Sequence, residues 1–145
     1  MIAHRRKPPV NILFVCVGNA CRSQMAEAWA SHHGKGRVRA HSAGSHPFGS
    51  IVNETYTVMA EKGILLEGHC SKGMQDVPLG DMDLVVAMGR EVSCPLPEGF
   101  KGRKVEWNIS DPFGGGIDDF RMVRDMVERQ VLQLLAEIRA QRLSA

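Results

Sequence analysis

Short apolar runs recur along the chain and predict the strands of a buried sheet. Residues 10–15 (VNILFV) and 84–88 (LVVAM) are almost continuously apolar, which is the pattern of central parallel strands covered on both faces. Residues 37–42 and 104–108 predict two further strands. The sequence therefore predicts a sheet of about four strands.

Segments with helical spacing lie between and after these strands. Residues 23–33 are good helix formers, and residues 52–62 place Val58 and Met59 at helical spacing from Ile51. Strands that alternate with helices predict an α/β fold of three layers, with a central parallel sheet and helices on both faces. The clearest helix carries one apolar stripe whose neighbouring members are three or four residues apart: Phe120, Val123, Val127, Val131, Leu134 and Ile138.

The composition is that of an ordinary globular domain. The chain has 145 residues, of which 43% are hydrophobic and 23% charged, so one domain can bury its own core. We expect this domain to span residues 10–145, after a mobile basic tail at residues 1–9 that ends in two prolines. With 18 basic and 16 acidic residues, the charge is too balanced for a nucleic-acid-binding surface.

Targeting signals and cysteine spacing bear on the location of the protein. The chain has no run of about 18 apolar residues and no small-residue cleavage site after its charged start, so we expect a cytoplasmic protein without a membrane partner. None of its four cysteines has CxxC or zinc-ligand spacing, so no metal site is predicted. In a cytoplasmic chain we expect reduced thiols at Cys16, Cys21, Cys70 and Cys94.

The loop at residues 16–23 (CVGNACRS) carries the candidate chemistry. It joins the first predicted strand to the first helix, at the carboxyl edge of the sheet where ligands of parallel α/β folds bind. Successive amides at a helix start form a nest for a tetrahedral anion, Gly18 lets the backbone curl inward, and Arg22 can clamp the anion. The same positive field favours the thiolate of Cys16, to which Ser23 can donate a hydrogen bond. The thiolate and the amide nest take the place of a metal, and no cofactor is implied.

Displacement at phosphorus or arsenic also requires an acid that protonates the departing oxygen. Asp111 is the candidate, because it follows the last predicted strand at the same sheet edge as Cys16. Pro112 restricts Asp111 to an extended backbone that can hold the carboxyl over the loop. An ordinary Asp-Pro turn before a helix accounts for the same two residues equally well.

These features together resemble the low-molecular-weight protein tyrosine phosphatase superfamily. That superfamily also includes the thioredoxin-coupled arsenate reductases and the bacterial protein arginine phosphatases. The resemblance runs from about Val10 to Arg139. Its motifs occur in family order: the cysteine loop, Ser42-Ala43-Gly44, His69 with Ser71-Lys72, the strand at residues 83–88, and Asp111-Pro112.

The resemblance implies a role for each matching residue. Cys16 would be the nucleophile that forms a cysteinyl-phosphate intermediate, Arg22 would bind the oxyanion, and Asp111 would act as acid and then as base. A supporting hydrogen-bond network would consist of Asn19, Ser23, Ser42 and His69. The oxyanion would contact the loop residues and an aromatic side chain that follows Asp-Pro: Val17, Gly18, Asn19, Ala20, Cys21, Ser23 and Phe113.

Different residues of the sequence resemble different branches of the superfamily. Residues 23–30, Cys94 and Trp107 resemble the arsenate reductases, which need two thiols beyond the nucleophile. Cys94 matches the second of these, but the first is expected within Ala87-Met-Gly-Arg90, which contains no cysteine. Asp-Pro-aromatic, here with Phe113, is the phosphatase pattern and offers a wall for a phosphotyrosine ring.

We therefore expect a cysteine-dependent phosphatase that hydrolyses phosphotyrosine-type or related phosphoryl groups on a protein. The alternative is an arsenate reductase that uses the same loop on a small oxyanion and takes electrons from thioredoxin or another thiol. In that case Cys94 and Cys70 are the possible redox thiols. A third hypothesis, a non-catalytic phosphate-binding module, is disfavoured because nucleophile, clamp and candidate acid are all present.

Overall fold

The computed structural model describes residues 7–144. Residues 1–6, which form most of the predicted basic tail, and residue 145 lie outside the described residues. Lys7 Nζ donates a hydrogen bond to the main-chain oxygen of Arg142 (2.9 Å), and Arg142 Nη2 donates one to the oxygen of Pro8 (2.6 Å). These bonds join the two ends of the described chain.

Four parallel strands form one sheet, as the apolar runs predict. The strands are β1 (Val10–Cys16), β2 (Val38–Gly44), β3 (Leu84–Ala87) and β4 (Arg103–Glu106). They lie in the spatial order β2-β1-β3-β4. The last residue of β1 is Cys16, which pairs with Gly44 at the end of β2 and so lies at the carboxyl edge of the sheet. The predicted α/β fold with a four-stranded parallel sheet is confirmed.

Three α-helices pack into one core with one face of the sheet. They are α1 (Arg22–His33), α2 (Asn53–Ala60) and α3 (Ile117–Ser144). Phe14 of β1 and Phe120 of α3 are both fully buried in this core, as the predicted apolar stripe requires. Among residues 7–144, no helix is long and apolar enough to cross a membrane.

The other face of the sheet is covered by irregular chain rather than by α-helices. Leu13, Val15 and Val85 are fully buried on that face. Two 3-10 helices, Met74–Asp76 and Leu79–Asp81, lie over them, so the helical layer expected on this face consists of short 3-10 helices. The physical reason lies in residues 68–80, where three glycines and one proline disfavour a continuous helix.

Candidate active site

The loop between β1 and α1 turns its main-chain oxygens outward. Residues 45–48, just after β2, donate three main-chain hydrogen bonds to the oxygens of residues 16–18, at 2.8–2.9 Å. The oxygen of Ala20 accepts two more, at 3.2 and 2.9 Å, from α2 and the residue before it. The main-chain N–H groups of residues 18–21 donate no hydrogen bond to any residue that the structure describes. With the carbonyls held by hydrogen bonds, these amides are left free to bind an anion, as successive main-chain N–H groups do in an anion nest.

Asn19 fixes the sharpest bend of this loop. Its φ of +47° lies in the left-handed region, which asparagine tolerates better than most residues. Its side chain bonds in both directions: Nδ2 donates to Ser23 Oγ (2.7 Å), and Oδ1 accepts from Gln24 Nε2 (3.0 Å) and from the main chain of Lys72 (3.0 Å). Asn19 is fully buried, so these bonds are shielded from water and hold the loop in one shape.

Cys16 lies at the base of the loop with Ser23 beside it. The distance from Cys16 Sγ to Ser23 Oγ is 2.8 Å, and both side chains are buried. Because Ser23 Oγ already accepts a hydrogen bond from Asn19, its own hydrogen is free to point at the sulfur. A hydrogen bond donated to sulfur stabilises the thiolate, which is the nucleophilic form of cysteine.

Arg22 is the first residue of α1, and its side chain is buried below the loop. Its Nη1 donates to the main-chain oxygens of Met88 (2.5 Å) and Ile109 (2.9 Å) and lies 2.8 Å from Glu91 Oε1. Its Nε is buried and has no hydrogen-bond partner among the described residues. A buried donor of this kind costs about 1–3 kcal/mol when it is left unpaired, which an oxyanion in the loop would offset.

Asp111 approaches the guanidinium from a separate loop. Its Oδ2 lies 3.7 Å from Arg22 Nη2, and 41% of its side chain is exposed. Its Oδ1 accepts a hydrogen bond from the main-chain N–H of Phe113 (3.0 Å), which closes a short turn around Pro112. The carboxyl is thus held at the rim of the loop, where it can exchange protons with a ligand and with solvent.

Two phenylalanines form an aromatic wall beside the loop. Phe48 and Phe113 meet edge to face with ring centroids 5.2 Å apart, and about half of each side chain is exposed. Phe48 also covers Gly18, where a Cβ atom would come within 2.8 Å of the Phe48 ring. Glycine at position 18 therefore permits the close approach of this ring. The residues of the site line one small hollow: Cys16, Gly18, Ala20, Cys21, Arg22, Phe48 and Asp111.

A second polar layer lies behind the loop. Fully buried Gln24 donates to the main-chain oxygen of Cys70 (2.9 Å) and bonds through Oε1 to His69 Nδ1 (3.1 Å). Ser42 bonds not to the loop but to Glu27, to which its hydroxyl donates at 2.5 Å. Of the supporting residues that the sequence analysis named, Asn19 and Ser23 therefore contact the loop directly. His69 contacts Gln24, which in turn bonds to Asn19, whereas Ser42 hydrogen-bonds to Glu27 and to none of the described loop residues.

The other thiols differ in their surroundings. Burial raises the pKa of Cys21 to about 12 despite a hydrogen bond with Thr55, and burial also raises the pKa of Cys94 despite nearby Lys104. Cys94 packs in the core on the sheet face opposite to the one that holds Cys16. Cys70 is exposed on the loop that supports Asn19. The structure brings Cys16 and Cys21 to one hollow and places Cys94 on the opposite side of the sheet.

Several site residues were missed by the sequence analysis. Gln24 could have been found as a polar residue among the buried positions of α1. Ser71 was named only as part of the motif with His69, but its hydroxyl donates to the oxygen of Gly18 (2.9 Å). Glu91 and Phe48 carry no comparable sequence signal. A larger hollow of about 540 Å³ lies between β4 and α3, but its lining contains no cysteine.

Comparisons with known proteins show which family the chain is similar to. The family model for low molecular weight phosphotyrosine protein phosphatases matches residues 11–144. A curated protein from Synechocystis, named glutaredoxin arsenate reductase, is 36% identical over 130 residues, which cover 88% of this chain and 97% of that protein.

Solved structures of two kinds share the fold. An arsenate reductase in the phosphate binding state has a TM-score of 0.80 and 32% identity, and covers 89% of this chain and 98% of its own. An arginine phosphatase from Geobacillus stearothermophilus has a TM-score of 0.79 and 30% identity, and covers 94% of this chain and 97% of its own.

Proposed function

Because the chain belongs to the low molecular weight phosphotyrosine protein phosphatase family, we propose that it is an enzyme whose Cys16 attacks a tetrahedral oxyanion, and that this oxyanion is arsenate. The contact that carries the proposed chemistry is the 2.8 Å approach of Ser23 Oγ to Cys16 Sγ under the inward-facing amides. The choice of arsenate rests on the similarity to arsenate reductases along most of the chain. It replaces the phosphatase that the sequence analysis preferred.

In the first step the Cys16 thiolate attacks arsenic and forms a sulfur–arsenic bond. One arsenate oxygen leaves as water, with a proton supplied by Asp111, which lies at the rim of the loop. The amides of residues 18–21 and the free edge of Arg22 balance the negative charge that remains on the other oxygens. No electrons are transferred in this step.

In the second step a thiol attacks the sulfur of Cys16. The sulfur–arsenic bond breaks and its electron pair moves to arsenic, which leaves as arsenite, while a disulfide forms between Cys16 and the incoming thiol. A second thiol of the donor then reduces this disulfide and restores Cys16. Two thiols are thus oxidised to one disulfide for each arsenate that is reduced.

The thiol of the second step comes from outside the chain in this proposal. Cys94 packs on the other face of the sheet, and burial raises the pKa of its thiol, so it is a poor nucleophile where it stands. Cys21 shares the hollow with Cys16, but its pKa of about 12 keeps it protonated at neutral pH. We propose thioredoxin, glutaredoxin or a small thiol as the electron donor.

A phosphatase is the second candidate, and the wall formed by Phe48 and Phe113 favours it. This edge-to-face pair stands beside the loop with half of each ring exposed, where a phosphotyrosine ring could stack. Arsenate has no ring and would leave the wall unused. The phosphatase needs only Cys16, Arg22 and Asp111.

Product analysis separates the two candidates. The protein is incubated with arsenate and, in turn, with reduced thioredoxin, with glutathione plus glutaredoxin, and with glutathione alone, and arsenite is measured. The same preparation is tested on phosphotyrosine and phosphoarginine peptides. Arsenite production with at least one donor supports the reductase. Peptide hydrolysis without arsenite production would replace it with the phosphatase.

A further inference from the structure

The surface carboxylate of Glu91 forms an ion pair with Arg22, the arginine of the proposed oxyanion loop. Glu91 belongs to the segment after β3, and its Oε1 is 2.8 Å from Arg22 Nη1. The two side chains differ in exposure, at 54% for Glu91 and 1% for Arg22. Glu91 thus reaches inward from the surface to a buried guanidinium, whose charge needs a partner in this low-dielectric surrounding.

The contacts of Arg22 divide its guanidinium into two parts. Nη1 donates hydrogen bonds to Met88 O and Ile109 O, and the same nitrogen forms the ion pair with Glu91. Nε has no hydrogen-bond partner among the described residues, and the ion-pair contact of Nη2, with Asp111, is long at 3.7 Å. The Nε–Nη2 edge is one of the edges on which a guanidinium binds an oxyanion with two parallel hydrogen bonds. Nη1, the nitrogen held by the protein, is therefore not part of the Nε–Nη2 edge.

The local backbone makes room for this ion pair. Gly89 has a φ of +154°, which side chains rarely adopt, and a Cβ atom there would lie 2.5 Å from Glu91 Oε2 and 2.7 Å from Arg22 Nη1. Only glycine leaves the carboxylate and the guanidinium in contact at this position. Partial burial opposes ionisation of Glu91, but hydrogen bonds from its own backbone and from Arg22 outweigh it and lower its pKa, so the pair is charged at neutral pH.

We propose that Glu91 is a positioning residue of the oxyanion site, which holds Arg22 by Nη1 so that its Nε–Nη2 edge faces the loop. This inference rests on the proposed binding of an oxyanion in the loop, but not on the choice between arsenate and a phosphate ester. Two main-chain carbonyls also hold Nη1, so the arginine stays in place without Glu91 but is free to tilt. A tilt misaligns the two parallel hydrogen bonds to the oxyanion.

Removing Glu91 has two opposite effects on anion binding, and the choice of variant separates them. Loss of the negative charge favours binding of an anion, whereas loss of the side-chain oxygen that contacts Nη1 weakens the positioning of Arg22. Glu91→Gln removes the charge and keeps a side-chain oxygen of the same reach. Glu91→Ala removes both, and Glu91→Asp keeps the charge but is one methylene too short.

The test measures the dissociation constants of phosphate and arsenate by calorimetry on the full chain. We expect Glu91→Gln to bind at least as tightly as the unchanged protein, and Glu91→Ala to bind about tenfold more weakly than Glu91→Gln, the size of one hydrogen bond to a charged group. Glu91→Asp should also bind the anions more weakly than Glu91→Gln, so the test can still be made if the alanine variant fails to fold. Glu98→Ala, in the same segment and exposed, is the control and should bind normally.

The outcomes separate failure of this inference from failure of the proposed function. If the unchanged protein binds neither anion, the oxyanion site itself is wrong. If it binds them and the Ala, Asp and Gln variants agree within twofold, Glu91 does not position Arg22. In turnover, Glu91→Ala should raise KM for arsenate more than it lowers kcat, because Arg22 binds the oxyanion before and during the reaction. A purely structural role would instead lower the melting temperature in all three variants and leave this ratio unchanged.

Discussion

Ser23 Oγ lies 2.8 Å from Cys16 Sγ and receives a hydrogen bond from Asn19 Nδ2 on its other side. Because Ser23 Oγ accepts from Asn19, its own hydrogen is free to be donated to the sulfur. This hydroxyl group is the one through which the loop would stabilise the proposed nucleophile, Cys16. The relationship connects the left-handed bend at Asn19 with the surroundings of the Cys16 sulfur.

Ser23→Ala should slow every step in which Cys16 is the nucleophile. It removes a hydrogen bond to a charged sulfur, worth about 1.5–3 kcal/mol, so kcat/KM should fall by about 10- to 100-fold. The rate at which iodoacetamide alkylates Cys16 at neutral pH, followed by mass spectrometry, should fall in parallel. Ser31→Ala, on the exposed side of α1, is the matched control. Alkylation of Cys16 at the unchanged rate in Ser23→Ala would show that Ser23 does not stabilise the thiolate.

Asp111→Asn should lower kcat most for substrates whose leaving group is poor, that is, whose leaving oxygen most needs a proton. Aryl phosphates with poor leaving groups should lose about 10²–10⁴-fold in kcat, the usual range for general acid catalysis, while good leaving groups lose much less. The measurement is a series of substituted phenyl phosphates. An equal loss of kcat across the series would mean that another group is the acid. Asp111 would then act only through its contact with the guanidinium of Arg22.

Phe113→Ala separates the aromatic wall from the oxyanion loop. Aryl phosphates should show a severalfold higher KM, because the edge-to-face partner of Phe48 is lost and a substrate ring loses its contact surface. Arsenate, which has no ring, should be turned over at the normal rate. A parallel loss with both substrates would mean that Phe113 instead shapes the turn that holds Asp111.

Glu61 links the acid stability of the fold to the packing of α2 against α3. Hydrogen bonds from Arg121 and Arg124 lower the pKa of Glu61 to about 2 from the usual 4.5. A carboxyl with a lowered pKa in the folded state stabilises that state above its unfolded pKa, and this contribution is lost as the pH falls from about 4.5 towards 2.

The stability advantage of the unchanged protein over Glu61→Gln should therefore shrink across this pH window. Urea unfolding at several pH values between 7 and 2.5 measures it, with Glu67→Gln, at an exposed position, as the control. A difference in the free energy of unfolding that stays constant with pH would contradict the ion-pair explanation.

The sequence predicts those parts of the site that are continuous in the chain. The loop at residues 16–23 carries its nucleophile, clamp and hydroxyl donor within one strand–loop–helix unit, so spacing alone places them together. Glu91 and Phe48 reach the same loop from segments whose course depends on tertiary packing. Their contacts with Arg22 and Gly18 leave no periodic signal in the sequence.

The covering of the sheet shows the same limit. The apolar runs predict four buried strands, but they do not say what covers each face. In residues 68–80, Met74 and Leu79 lie in 3-10 helices and are partly buried against the sheet. The glycines and the proline of this segment do not support an α-helix. For the same reason the position of Cys94, opposite to Cys16, could not be inferred from its match to a thiol of the arsenate reductases.

The most direct test of the proposed reaction is arsenate-dependent oxidation of NADPH, coupled through thioredoxin and thioredoxin reductase or through glutaredoxin, glutathione and glutathione reductase. It compares the unchanged protein with Cys16→Ser and Cys94→Ser. We predict turnover that disappears in Cys16→Ser and persists in Cys94→Ser, because an external thiol attacks Cys16 while Cys94 stays on the other face of the sheet. Turnover lost in Cys94→Ser would contradict the external thiol. No arsenate-dependent turnover with either donor, with aryl phosphate hydrolysis intact, would contradict the arsenate reductase itself.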